Sequence, residues 1–181
     1  MRAYPVRKIV FTALLSAAAL ISFLIESLFP PLFIPGARLG ISNVFVLFAL
    51  ITLGVKEGLT VLTIKILLGS IFTGNISAAL YSLPAGIISF SLQALLVVFS
   101  KKISVISLST LGGVVNLTVQ NLVFCLIAGG SEYLIYLPYL AAIGTLAGAF
   151  VGITVYLIVK IFPQKIINAD NVADKVGEDE I

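Results

Sequence analysis

The residues able to do chemistry in this chain are two isolated cations, one isolated carboxylate and a set of amides. Lys65 lies about eight residues from either end of an apolar stretch, roughly 12 Å deep at 1.5 Å per residue. An ammonium at that depth needs a cavity, a carboxylate or a ligand. Glu26, near the end of the first apolar run, is the carboxylate placed to meet it. A Glu26–Lys65 pair that neutralises both charges is one reading. The other has Lys65 and Arg38 presenting positive charge to an anionic ligand. Arg38 belongs to Pro35-Gly36-Ala37-Arg38-Leu39-Gly40-Ile41-Ser42-Asn43, which separates two apolar runs. This is either a Pro-Gly turn with a snorkelling arginine or a re-entrant loop closing a pocket. Asn43 opens the helix that follows. Gly112, Asn116 and Gln120 are spaced four apart and share one helical face. They serve either as interhelical hydrogen-bond partners or as a polar cavity lining. The candidate ligand-binding set is therefore Glu26, Arg38, Asn43, Lys65, Asn116 and Gln120.

Other chemistries lack their residues. The chain has no His and one Cys, so a metal cluster and an intramolecular disulfide are not expected. Every Asp falls in 168–181, and no carboxylate pair occurs elsewhere to hold Mg²⁺ against a diphosphate. There is no Walker A loop, so the chain cannot power transport by itself. Neither catalysis nor a cofactor is expected.

The elements that must position these residues are apolar helices. With 60% hydrophobic and 10% charged residues and a mean hydropathy of +1.18, the 181-residue chain cannot hide its apolar surface in a soluble core. It reads as an all-α integral membrane protein. Six apolar segments span approximately 8–29, 40–55, 58–73, 77–100, 103–129 and 134–161. The second and third are short against the roughly 20 residues a bilayer requires. The first continues apolar past Ala17-Ala18-Ala19, which argues for an uncleaved helix rather than a signal peptide. Residues 1–167 form one six-helix membrane domain in this reading. The polar tail 168–181 holds five of the eight acidic residues and is expected to be disordered.

Lys and Arg set the orientation. Arg2, Arg7 and Lys8, then Lys56, then Lys101 and Lys102, then Lys160 and Lys165 occupy alternate ends, while the opposite loops hold Arg38 alone. The positive-inside rule places both termini in the cytoplasm and the Pro35–Asn43 loop outside. The net charge of +3 comes from these scattered residues and does not point to nucleic acid.

The 35–43 motif, followed by apolar Val44 to Leu53 and then Gly54, Lys56 and Glu57, resembles a family of small bacterial membrane proteins. Its members are labelled heptaprenyl diphosphate synthase component I or Gx transporter, and the resemblance runs from about Val6 to Ile161. That family is similar in layout to the substrate-binding S components of energy-coupling factor (ECF) transporters. The resemblance implies a six-helix S-component-like bundle in the bacterial inner membrane. It also implies a captured small molecule and contact with membrane lipid. Its partners would be a coupling transmembrane subunit and two ATPase subunits. Small-residue motifs on helix one form the docking face of S components, and Ala13 and Ala17 stand in the corresponding half here. The alternative is a non-catalytic membrane accessory of heptaprenyl diphosphate synthesis.

Overall fold

The computed structural model describes residues 6–29, 40–99 and 103–161. They form six α-helices: α1 (Val6–Leu28), α2 (Ser42–Thr52), α3 (Val55–Phe72), α4 (Ile76–Phe99), α5 (Val105–Ala128) and α6 (Leu137–Ile161). A 3-10 turn, Ser131–Tyr136, leads into α6. Each helix lies within a few residues of an apolar segment predicted from the sequence.

The helices pack as two groups of three. α1, α2 and α3 contact one another; α5 contacts both α4 and α6; and α3 against α4, with α2 against α6, joins the groups. α1, α3 and α5 run from one end of the bundle, here called the Lys56 end, toward the other, called the Ser42 end. Large apolar side chains cover the perimeter, among them Leu126 at 82% and Leu146 at 74% exposure. Water would not tolerate so much contiguous apolar surface, whereas lipid does. Four helices (α1, α4, α5 and α6 with the turn before it) are long and apolar enough to cross a membrane.

α2 and α3 depart from the six-span expectation for different reasons. α3 carries Lys56, Glu57 and Lys65 within its 18 residues. α2 has 11 residues, about 16 Å of helix, and eight of them are buried. A helix apolar on every side belongs in the interior of a bundle, and α2 lies between α1, α3 and α6. Leu50 and Ala49 are fully buried there.

α5 and α6 meet backbone to backbone. A Cβ on Gly113 would overlap the Gly144 carbonyl oxygen, and one on Gly148 would lie 2.6 Å from that of Ser109. Gly152 likewise faces the Ile106 backbone. Gly144, Gly148 and Gly152 at four-residue intervals thus form a close-packing stripe, as small residues do between membrane helices.

Candidate functional site

α2 starts without a side-chain cap of its own: its N-cap position is Ile41. Its orphan amide and first hydroxyl are met from another helix. The Ile41 N–H donates to Glu26 Oε1 at 2.5 Å, and Ser42 Oγ donates to Glu26 Oε2 at 3.1 Å. A carboxylate at a helix N-terminus satisfies free N–H groups and faces the positive end of the helix dipole. Glu26 is buried and owes its place in the bundle to this cap.

One residue further on, Asn43 Oδ1 accepts from Lys65 Nζ at 2.5 Å. Lys65 is 4% exposed. Since an ammonium only donates, the Asn43 oxygen must face Lys65, and the amide nitrogen must point the other way. Gly40 makes room for it: φ is +74°, and a Cβ there would lie 3.1 Å from Asn43 Nδ2. Glu26 and Lys65 are thus tied into one cluster through the consecutive residues Ile41, Ser42 and Asn43. Lys65 is followed by seven residues of α3, so α2 begins about 10 Å short of the end of its neighbour. Lys65, Gly69 and Thr73, at four-residue intervals, give that stretch a face with small side chains beyond Lys65. Phe23 fills it: a Cβ on Gly69 would lie 2.5 Å from the Phe23 ring.

Asn43 also lines a cavity of about 60 Å³ between the two groups of helices. Its polar lining includes Ser89, Gln93, Ser109 and Asn116, with glycines 86, 112, 113, 144 and 148 around them. Ser89 Oγ donates to the Gly112 carbonyl at 2.7 Å, and Gln93 Nε2 donates to that of Leu108 at 3.4 Å. Gly112 leaves room for the Gln93 side chain, whose amide a Cβ there would overlap. The cavity has room for a few waters or one small polar group; pockets that enclose a drug-sized molecule begin at about 300 Å³.

The structure therefore gathers Glu26, Asn43 and Lys65 into one cluster and brings Asn116 to the cavity that Asn43 shares. Gln120 is set apart. It lies one turn beyond Asn116, donates to Ser82 Oγ at 3.3 Å, and does not line the cavity. Arg38 and the tail 168–181 lie outside the described residues. Ala13 and Ala17 are exposed on α1, whose Ser16, Ala19 and Glu26 face inward. Sequence reasoning missed Ser89 and Gln93 as cavity residues, although their four-residue spacing in an apolar helix was a usable signal. It also missed the cap, because nothing in a sequence marks a backbone N–H as the partner of a distant carboxylate.

Near the Ser42 end, Phe124 makes edge-to-face contacts with Tyr81 and Tyr133, at centroid distances of 5.8 and 5.0 Å. Asn121 Nδ2 donates to the Tyr133 carbonyl at 3.1 Å, holding the 3-10 turn on α5. Tyrosines at this level suit a membrane–water boundary.

The family described as heptaprenyl diphosphate synthase component I matches residues 15–158, which include Glu26, Lys65 and every cavity-lining residue. The chain belongs to this family. No curated protein and no solved structure matches it. The words "component I" imply a partner component, and the helices imply a membrane setting for a component I protein.

Proposed function

We propose that the chain is the substrate-binding membrane component of an energy-coupling factor type uptake transporter. It captures a small anionic or phosphate-bearing ligand from outside. The observation that carries this reading is the Lys65–Asn43 contact at the rim of the central cavity. A buried ammonium fixes the asparagine as a hydrogen-bond donor toward the cavity, and a donor polarised by a cation favours an acceptor-rich ligand head. Asn116, and Arg38 from the 35–43 motif, complete the binding set, with the ligand's apolar part among the neighbouring Leu and Ile side chains. Glu26 and Gln120 support the helices that carry this set.

The exposed Ala13–Ala17 face of α1 is the docking surface for the coupling subunit. Changing both to Leu should abolish co-purification with that subunit and uptake, while ligand retention stays at the parental level. Loss of folding or of ligand retention in the same variant would assign the pair to internal packing and remove the docking role.

Placement of the Ser42 end outside rests on the Lys and Arg distribution, and both termini are then cytoplasmic. In a Cys125→Ala background, a cysteine at position 37 should react with a membrane-impermeant maleimide in intact cells. Reaction only after permeabilisation reverses the orientation.

The family description favours a second reading, an accessory subunit that holds a prenyl diphosphate synthase at the membrane. Such a subunit would act at the cytoplasmic face. The buried cluster lies instead at the end assigned to the outside, so transport is the stronger reading.

A further inference from the structure

α1 and α3 run side by side in the same direction, and a groove of about 380 Å³ opens between them from their first turns. It extends from Lys8 to Ser16 on one helix and from Lys56 to Ile64 on the other. Eight residue-to-residue rises on each side make it about 12 Å long, along the helix axes.

The two halves of the groove differ in chemistry. Its three hydroxyls are all turned back onto their own helices: Thr12 donates to the Lys8 carbonyl at 2.8 Å, Ser16 to that of Thr12 at 2.8 Å, and Thr60 to that of Lys56 at 2.9 Å. The walls therefore present methyl and methylene groups along their length. At the mouth stand Lys8 and Lys56, neither in an ion pair among the described residues, with Glu57 beside them in the first turn of α3. Glu57 lies over the start of its own helix, its Oε2 3.2 Å from where a Gly54 Cβ would be. Two cations and one anion leave the mouth net positive. Because both lysines are in first turns, they lie at headgroup level when the helices enter a bilayer, and the groove points into the hydrocarbon.

We infer that this groove holds an anionic, phosphate-headed lipid. The phosphate rests on Lys8 and Lys56, and one hydrocarbon chain lies between Ala13 and Ile64. A narrow apolar channel that is cationic at one end complements that ligand and no water-soluble metabolite. The inference goes beyond the transport reading and is tested on the purified chain alone, so its failure leaves that reading standing.

The test is native mass spectrometry of the full chain in detergent, titrated with phosphatidylglycerol or with zwitterionic phosphatidylcholine. Phosphatidylglycerol should bind more tightly by about thirtyfold, as two lysines near an anionic head imply. The K8Q/K56Q double variant should lose that preference. Thr60→Phe keeps both cations but fills the groove, and should lose the lipid as well. Circular dichroism and the thermal midpoint should remain parental in both variants. Equal binding of the two lipids, or parental phosphatidylglycerol binding in K8Q/K56Q, overturns the inference. Retention by Thr60→Phe overturns it too, because the head alone would then suffice. Full displacement by millimolar inorganic diphosphate has the same meaning.

Discussion

Lys65→Met should weaken retention of the protein's small-molecule ligand by about thirtyfold or more. That corresponds to the 2–5 kcal/mol typical of removing one partner from a desolvated charged contact. The reason is specific to the cluster. Lys65 is buried and donates to Asn43 Oδ1, a bond that turns the oxygen end of the Asn43 amide toward the ammonium. Without it the amide is free to turn, and the cavity loses both an oriented donor and the positive charge behind it.

Two companion variants separate this role from mere packing. If Lys65 acts through Asn43, Asn43→Ala should cost about as much as Lys65→Met. The two changes together should then cost little more than either, because coupled residues are not additive. Glu26 must be controlled as well, since removing the cation from a buried cluster alters the charge its carboxylate meets. Glu26→Gln keeps an acceptor for the Ile41 N–H and Ser42, so Lys65→Met with Glu26→Gln should remain folded. The measurement is native mass spectrometry of the detergent-purified protein, following the co-purified small molecule. Should that double variant hold the ligand as tightly as the parent, Lys65 is structural and the binding site lies elsewhere.

Gly148→Leu should abolish the folded protein. Its Cβ position is 2.6 Å from the Ser109 carbonyl oxygen and 2.7 Å from the Thr110 Cα, so even a methyl group meets backbone rather than a side chain that can rotate away. Gly148→Ala should already destabilise by about 1–3 kcal/mol, the usual cost of overpacking. Gly144→Ala should behave alike, since its Cβ would lie 2.8 Å from the Gly113 carbonyl oxygen. Thermal unfolding in detergent, followed by size-exclusion profile, reads both effects. A monodisperse Gly148→Leu protein with a parental midpoint would mean that α5 and α6 do not touch along this face. Gly129→Ala and Gly74→Ala provide a contrast, because nothing lies within 4 Å of either Cβ position. Their cost is limited to the positive φ that both residues adopt.

The sequence by itself determined the class of protein, the helices and their order. Apolar runs broken by Pro, Gly and paired Lys leave little freedom, since the backbone of an apolar segment must bond within itself. Helix termini therefore follow composition, and α1 to α6 fall close to the predicted spans. Lys65 was legible as buried because an ammonium in the middle of an apolar helix has no water within reach. The family, too, was readable from the 35–43 motif and the residues after it.

Tertiary structure alone decided who meets whom. Periodicity put Asn116 and Gln120 on one face of α5, yet Asn116 reaches the cavity while Gln120 is drawn to Ser82 on α4. A helix face does not specify which neighbour covers it at each level. The sequence offered Glu26 as a partner for Lys65, and the structure adds the residues between them: the carboxylate also caps the start of α2, and the ammonium also donates to Asn43. Backbone N–H groups are identical along a sequence, and only the docking of one helix end beside another helix makes a particular one available. The burial of α2 has the same origin: an 11-residue apolar helix reads as a truncated span until its neighbours enclose it.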